Sequence, residues 1–205
     1  MRPFLRRPTL LVLALLFLPP SVPGILPSGS AAPAQSWNLD LDRAMDAIGV
    51  VPGMVVGEAG AGDGYFTIPM ARRVGTDGIV VANDVSRKSL RTLERRSKEQ
   101  GLANIQTVVG ETADPLFPRR DLQLVVVVHA FHEFDQPVDW LVNLKKYLRP
   151  GASLAIIDRD PDRGASSHFW PKDRILRHAE KAGYELTREA EGFPEHLVLV
   201  FKARG

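Results

Sequence analysis

The sequence predicts an α/β fold in which helices cover both faces of a mostly parallel sheet and a C-terminal hairpin adds an antiparallel strand. Short apolar runs alternate with amphipathic segments from residue 39 onward, and parallel strands need such crossover helices. The run Leu122–His129 holds four consecutive valines, which is typical of a strand buried on both faces. The last two strand-like segments are joined by a link too short for a crossover, so we expect them to be antiparallel.

Each element follows from its apolar period. The predicted helices are Leu39–Ile48, Tyr65–Val74, Ser86–Gln100, Pro137–Leu148 and Asp173–Ala182. The predicted strands are Met54–Ala59, Gly78–Asn83, Ile105–Val109, Leu122–His129, Ser153–Asp158, Tyr184–Glu189 and His196–Lys202. Asn38 or Asp40 caps the first helix, Gly49 ends it, and Pro150–Gly151 closes the fourth helix. Without a repeat or a second core, these elements predict one domain over residues 35–205.

Composition narrows the class of protein. The chain has 205 residues and is 44% hydrophobic, which is enough for one large core. Its net charge is +2, but residues 1–34 hold three of the 26 basic residues and none of the 24 acidic ones, so the remainder carries −1. That charge gives no support to a nucleic-acid partner. The absence of cysteine excludes disulfides, zinc–thiolate sites and thiol nucleophiles.

The first 34 residues have the layout of a secretory signal peptide. Arginines precede the apolar run Leu10–Leu18, prolines interrupt it, and Ala32–Ala34 supplies a small-residue cleavage site. The run is too short for a membrane span, which takes about 20 residues. We therefore expect a secreted or periplasmic domain. The alternatives are an uncleaved membrane anchor, a mitochondrial leader and an extension without targeting function.

The segment Val55–Gly64 predicts a nucleotide-cofactor site. An apolar strand ends in an acidic residue, Glu58, and glycines follow at alternate positions before an amphipathic helix. Glycine permits close approach of the backbone to a ligand and the positive φ angles of tight strand-to-helix turns. Asp84 ends the next strand, where its carboxylate is placed to accept both hydroxyls of a ribose.

Four segments together resemble the class I S-adenosylmethionine-dependent methyltransferases of the small-molecule type, which includes the ubiquinone/menaquinone and arsenite methyltransferases. These segments are Val56–Gly64, Val80–Ser86, Ala113–Leu116 and Leu148–Asp158. The resemblance extends from Leu39 to Arg204. It implies a Rossmann-like doubly wound sheet, S-adenosyl-L-methionine as cofactor, and methyl transfer to a small-molecule acceptor.

The cofactor-binding residues expected on these grounds lie at strand ends or in the loops just after them. They are Glu58, Ala59, Gly60, Gly62, Gly64, Asp84, Val85, Thr112, Ala113, Asp114 and His129. Glu58 accepts hydrogen bonds from the ammonium group of the ligand, directly or through an intermediary, while the glycine loop passes under the adenosine and methionine parts. The resemblance implies that Asp114 bonds the adenine amino group and that Thr112 and Ala113 line the ring. A simple turn is the alternative for Asp114.

An NAD-dependent oxidoreductase is the main enzymatic alternative, because Asp84 follows the glycines by about the distance typical of those proteins. The spacing speaks against it, since Tyr65 follows Gly62 at the position of the third dinucleotide glycine. Glu58 and Asp63 would also repel a pyrophosphate, whereas they favour a ligand that carries a sulfonium and an ammonium group. Two non-enzymatic alternatives are a cofactor-binding pseudoenzyme and a purely structural module.

No metal site is expected from sequence spacing. The segment His129–Glu133 has the wrong order for a zinc-protease helix and lies at a strand end. Asp158, Asp160 and Asp162 alternate as in a calcium loop, but the glycine comes one place late and Phe169 occupies the position of the bidentate glutamate.

Candidate catalytic residues follow the valine-rich strand. They are His132, Glu133 and His129, with Asp158 and His168 behind them. His132 is the first choice for a general base, because histidine is the side chain most often used for proton transfer and a carboxylate beside it can orient the ring. The alternative is that His132 and Glu133 only pack or cap a turn. Trp140 and Phe131 are expected in the core or a lid.

Overall fold

The computed structural model describes residues 38–204, in which seven strands form one sheet. The strands are β1 (Val55–Ala59), β2 (Ile79–Asp84), β3 (Ile105–Val109), β4 (Leu122–Val128), β5 (Leu148–Arg159), β6 (Tyr184–Glu189) and β7 (His196–Ala203). Their order is β3-β2-β1-β4-β5-β7-β6. The first five strands are parallel, and β7 runs antiparallel to both β5 and β6. The predicted fold class is therefore confirmed.

Five α-helices accompany the strands in this part of the chain, residues 38–204. They are α1 (Leu41–Ile48), α2 (Thr67–Val74), α3 (Arg87–Glu99), α4 (Pro137–Leu144) and α5 (Lys172–Lys181). The Asp40 carboxylate accepts a hydrogen bond from the N–H of Arg43 and caps α1, and Gly49 ends that helix with a φ of +79°. No helix within residues 38–204 has the length and apolar character needed to cross a membrane. The predicted leader, residues 1–34, lies outside the described residues and stays a prediction.

Two apolar layers bury the faces of the sheet. On one face, α4 and α5 pack against β4, β5 and β7 through residues such as Leu141 and Ile175. On the other face, α1 and α2 pack against the same central strands through Met45 and Met70. Successive valines of β4 therefore point into opposite layers, and both layers are apolar. This arrangement explains why β4 is a continuous apolar run instead of an alternating one.

The predicted end of the fourth helix is wrong. The α-helix ends at Leu144, one 3₁₀ turn covers Lys145–Tyr147, and Pro150–Gly151 belong to the first part of β5. Leu148 pairs with Leu122 of β4, and the register then shifts before the next pairs form. Such an irregular stretch accommodates a proline, which has no N–H to donate to a ladder.

The valine-rich strand also ends one residue earlier than predicted. β4 stops at Val128 because His129 has a φ of +50°, which turns the chain away from the sheet. The strand order reverses between β1 and β4, and a ligand crevice forms where neighbouring connections diverge in this way. The carboxyl ends of β1, β2 and β4 carry Glu58, Asp84 and His129 to this edge of the sheet.

Candidate active site

A cavity of about 270 Å³ opens at the carboxyl edge of the parallel strands. Five of the residues that line it were predicted as site residues; these are Gly60, Asp84, Val85, Thr112 and Glu133. The others come from the strand ends and from the segment after β4; these are Asn83, Glu111, Ala130, Phe134, Asp135 and Trp140. Among the described residues, the lining thus contains four carboxylates and neither lysine nor arginine, which makes the cavity suitable for a cationic ligand.

The three glycines of the loop after β1 have different surroundings, so a side chain at each position would have a different effect. A Cβ at Gly60, where φ is +72°, would lie 2.4 Å from the Cβ of Ala130 at the cavity wall. Gly62 has a φ of +56° and open space where a Cβ would stand. Gly64 has a φ of +97°, and a Cβ there would lie 2.5 Å from Cδ1 of Leu93, so this glycine lies close against α3. Gly62 and Gly64 are absent from the described cavity lining, so their predicted place under a ligand stays a prediction.

Asp84 ties the glycine loop to the end of β2. Its Oδ2 accepts a hydrogen bond from the N–H of Gly62 at 2.8 Å, and its Oδ1 accepts one from the N–H of Ser86 at 2.7 Å. A carboxylate has about four lone-pair sites, so both oxygens keep one for a ligand hydroxyl. The neighbouring Val85 is 63% exposed and lines the cavity, which gives an apolar surface beside a polar one.

Glu58 is buried beside this loop, and neither it nor Ala59 contributes to the lining of the cavity described above. Its Oε2 accepts a hydrogen bond from the hydroxyl of Thr67 at 2.5 Å. Burial raises the pKa of Glu58 to about 8; the Thr67 hydrogen bond opposes this change, and the negative charge of Asp84 adds to it. The carboxyl group of Glu58 is therefore protonated at neutral pH in this structure.

The segment Thr112–Asp114 is only partly directed at the cavity. Thr112 lines it, whereas the carbonyl of Ala113 accepts a hydrogen bond from Asn143 at 2.8 Å. The Asp114 carboxylate accepts hydrogen bonds from Tyr147 at 2.7 Å and Leu116 at 2.9 Å, outside the lining. Burial would raise the pKa of Asp114, but the bonds from Leu116, Tyr147 and Lys146 outweigh it and lower that pKa. Asp114 thus anchors its loop to the turn after α4.

His129 lies in a partly buried row of rings beside the cavity. Its ring centroid is 5.0 Å from that of His196 and 6.3 Å from that of Tyr65. Burial lowers the pKa of His129 to about 3, and the nearby His196, His132 and Arg159 lower it further. The imidazole is therefore neutral at physiological pH. His129 is absent from the described cavity lining, so direct cofactor contact stays a prediction.

The remaining predicted catalytic residues form a compact group, which we call the rim cluster: His132, Glu133 and His168. Asp158, fully buried on β5, holds Nδ1 of His132 at 2.7 Å from its Oδ2. Oε1 of Glu133 lies 3.3 Å from Nε2 of His132 and 2.6 Å from Nε2 of His168. Because Glu133 also lines the cavity, the rim cluster borders it directly. Sequence order placed His168 behind this group, and the loop before α5 brings it into contact.

Several lining residues were not predicted. Glu111, Phe134 and Asp135 follow strand ends, as the predicted residues do, and that position is the signal from which they could have been found. Trp140 is buried in the core and lines the cavity. Phe131 is fully buried, in agreement with its predicted core position.

Comparison with known proteins agrees with this geometry. Residues 56–151 match the family model described as a methyltransferase domain. The chain is 27% identical over 114 residues to the nocamycin O-methyltransferase of Saccharothrix syringae, covering 56% of this chain and 41% of that protein. It is 32% identical over 113 residues to the aklanonic acid methyltransferase DauC of a Streptomyces species, covering 55% and 51%. The chain thus spans about half the length of the curated relatives that it matches.

Solved structures show the same fold. A methyltransferase from Aquifex aeolicus, named as dependent on S-adenosylmethionine, has a TM-score of 0.73 at 23% identity over 79% of this chain and 88% of its own. The glycopeptide N-methyltransferase MtfA, solved with S-adenosylmethionine, has a TM-score of 0.67 at 14% identity over 80% and 87%. These findings confirm the resemblance that the four sequence segments predicted.

Proposed function

We propose that this chain, a class I methyltransferase in fold and in motif sequence, transfers a methyl group from S-adenosyl-L-methionine to a small-molecule acceptor. The observation that carries the proposal is that one cavity is lined both by residues suited to bind a cofactor and by a residue of the rim cluster. Gly60 and Asp84 line one part of it, and Glu133 of the rim cluster lines another. A cofactor in the cavity would therefore face an acceptor held at the rim cluster.

The charges of the cavity support this cofactor. Asp84, Glu111, Glu133 and Asp135 line it, and no basic residue from positions 38–204 does so. S-adenosylmethionine carries a sulfonium and an ammonium group. The same carboxylates would repel the pyrophosphate of NAD, so the oxidoreductase alternative is disfavoured. In the proposed complex, Asp84 accepts the ribose hydroxyls through its unused lone pairs, and Val85 contacts the adenine ring. The carboxyl group of Glu58 loses its proton when the cofactor binds, and the carboxylate then interacts with the ammonium group of the cofactor.

The rim cluster supports the acceptor half of the reaction. Methyl transfer is an in-line displacement in which the acceptor atom bonds to the methyl carbon and the carbon–sulfur electron pair stays on sulfur. Holding the reactants in a near-attack geometry is worth roughly 7–11 kcal/mol. We propose that an acceptor hydroxyl or amine lies against His132 and Glu133 and loses its proton there. The small-molecule acceptors of the relatives are consistent with this class of substrate.

A pseudoenzyme that binds cofactor without turnover would need the cavity but not the rim cluster. The buried Asp158 holds His132 in one orientation, 2.7 Å away, and such positioning of an imidazole is typical of proton transfer. The rim cluster therefore favours turnover over a binding role.

The proposal is tested by thermal unfolding with and without S-adenosylmethionine. Ligand at 100 times its dissociation constant adds about 2.7 kcal/mol to the free energy of unfolding, which corresponds to about 5–10 °C in Tm for a domain of this size. We expect Asp84→Ala to abolish this shift, because it removes the carboxylate that accepts the ribose hydroxyls and the hydrogen bond from the N–H of Gly62. His132→Ala should keep the shift and lose methyl transfer to a panel of small acceptors.

The matched control is Asp77→Ala, which removes an exposed carboxylate from the turn that precedes β2, at the opposite end of that strand. It should retain both the thermal shift and the activity. Absence of a shift in wild-type protein that has been freed of bound cofactor would refute the proposed cofactor. Loss of the shift in His132→Ala would show that His132 serves the cofactor instead of the acceptor.

A further inference from the structure

The rim cluster has the composition of a metal site. His132, Glu133 and His168 each offer one ligand atom, and these three atoms lie within 4.8 Å of one another. His132 and Glu133 are consecutive in the turn after β4, whereas His168 lies 35 positions after Glu133, in the loop before α5, and is brought to them by the fold. Two imidazoles and one carboxylate form a ligand set that binds zinc in catalytic sites with one position open.

The position of His132 gives a second geometric observation. The Asp158 carboxylate lies 2.7 Å from Nδ1 of His132, which is where a carboxylate stands when it orients a metal-bound histidine through its second ring nitrogen. The other ring nitrogen, Nε2, faces Oε1 of Glu133 at 3.3 Å. A cation at this point would contact both atoms.

We propose that His132, Glu133 and His168 bind a divalent metal ion of the zinc type. Asp158 would then serve as the partner that orients a metal-bound histidine through its second ring nitrogen, an arrangement common in zinc proteins. Two ligand atoms bound to one tetrahedral zinc ion lie about 3.4 Å apart. The separation of His132 and Glu133 already matches this value, and Glu133 and His168 need to separate by less than 1 Å.

The exposure of the three side chains permits this adjustment and leaves room for a further ligand. The side chain of His132 is 4% exposed and is fixed by Asp158, whereas those of His168 and Glu133 are 59% and 61% exposed. The ion would thus be held from the protein side and open towards solvent and the cavity. A hydroxyl bound at the open position becomes more acidic, and its proton passes to solvent.

If the proposed methyl transfer holds, this ion replaces the free imidazole of His132 as the group that activates the acceptor. The oxygen of the acceptor then keeps its electron pair for the methyl carbon, and the sulfur keeps the pair of the broken bond. The acceptor would accordingly carry a metal-binding hydroxyl close to its methylated atom. Metal binding itself does not depend on turnover, so it is measured in the absence of cofactor and acceptor.

The test is a titration of full-length, untagged, chelator-treated protein with Co²⁺, followed by competition with Zn²⁺. We expect one Co²⁺ per chain, visible absorption bands of a low-coordinate site, and displacement of Co²⁺ by Zn²⁺. The chain has no cysteine, so every protein ligand is nitrogen or oxygen. Glu133→Ala and His168→Ala should abolish the saturable binding; Asp158→Asn should weaken it by about 10–100-fold.

His178→Ala is the matched control, because it removes a histidine on α5 that packs against Trp170 and is not a member of the rim cluster. It should bind Co²⁺ as the wild type does. Glu133 and His168 are exposed, so their variants are expected to fold, which circular dichroism verifies. Wild-type protein without saturable binding, or Glu133→Ala and His168→Ala variants with unchanged binding, would overturn the proposal. A retained thermal shift with S-adenosylmethionine in either case would leave the proposed cofactor site intact.

Discussion

Gly60 is the residue at which backbone conformation and cavity shape depend on each other most directly. Gly60→Ala would place a methyl group 2.4 Å from the Cβ of Ala130, in a backbone with a φ of +72°. The left-handed conformation costs about 1–2 kcal/mol for a residue with a Cβ, and the overlap adds about 1–3 kcal/mol. We expect the free energy of unfolding to fall by about 3 kcal/mol, measured by urea denaturation, and cofactor binding to weaken.

Gly62→Ala is the control for this prediction. Gly62 also has a positive φ, of +56°, but a Cβ there would meet nothing within 4 Å. Only the conformational cost of about 1–2 kcal/mol applies. Equal losses of stability in the two variants would contradict a steric role for the contact between Gly60 and Ala130.

Individual site residues were predictable to different degrees. Gly60 and Asp84 could be located from sequence because their strand-end positions follow from the alternation of apolar runs. Contacts across long separations were not predictable. The bond from Tyr147 to Asp114 joins a loop to a turn 33 residues later, and it depends on where α4 ends. His168 meets Glu133 for a similar reason, because the packing of the loop before α5 decides its position.

Ser86 caps helix α3 through its side chain, and its backbone N–H bonds to Asp84 of the cofactor site. The Ser86 hydroxyl caps the helix by accepting a hydrogen bond from the N–H of Ser89 at 3.2 Å. Ser86→Ala should lower the free energy of unfolding by about 1 kcal/mol. The bond from the N–H of Ser86 to Asp84 uses the backbone and should persist. Thermal unfolding should therefore show a lower Tm but a nearly unchanged shift with S-adenosylmethionine.

Thr92→Ala provides the comparison within the same helix. Thr92 lies in the middle of α3, where alanine has the higher helix propensity, so stability should stay within about 0.5 kcal/mol of wild type or rise. A loss as large as that of Ser86→Ala would mean that the cap is not the cause.

Among whole elements, the type of every α-helix and strand followed from its apolar period, and the differences lie at the ends. The fourth helix was extended too far because Lys145–Tyr147 continue a helical pattern. Leu148 instead pairs with Leu122, 26 positions earlier, in the sheet. Sequence periodicity reports on local structure, whereas this boundary is decided by a strand pairing between distant residues. His129 likewise leaves the valine run through a backbone angle that no pattern encodes.

The stability of the molecule as a whole should depend on pH through Glu58. Its pKa is about 8 in the folded protein, against an ordinary value of 4.5 in the unfolded chain. Between these values the folded state holds a proton that the unfolded state has lost, so the free energy of unfolding falls as pH rises. Glu58→Gln removes this contribution. Urea denaturation at pH 5 and pH 8 measures the free energy of unfolding of both proteins. Between these two pH values, we expect the free energy of unfolding of Glu58→Gln to rise by up to a few kcal/mol relative to that of wild type.

Glu99→Gln serves as the reference, because Glu99 is an exposed residue of α3 paired only with Arg95 among its described neighbours. Its stability should follow the wild-type pH dependence. If Glu58→Gln also runs parallel to wild type over this range, the buried carboxyl does not hold its proton. Conversely, ligand binding that ionises Glu58 should release a proton into the buffer near pH 7, which calorimetry in buffers of different ionisation enthalpy detects.

The position of β7 between β5 and β6 constrains the order in which the sheet can assemble. β6 precedes β7 in the chain, yet among the described strands β7 is its only neighbour in the sheet. β6 must therefore wait as an unpaired segment until the following strand has docked on β5. The cofactor half of the sheet, from β3 to β4, contains no such dependence on later sequence. During synthesis, the strands that carry the cavity walls can thus pair on the ribosome before β7 has docked on β5. Until it docks, β5 has an unpaired edge, and the chain is most exposed to mispairing during this period.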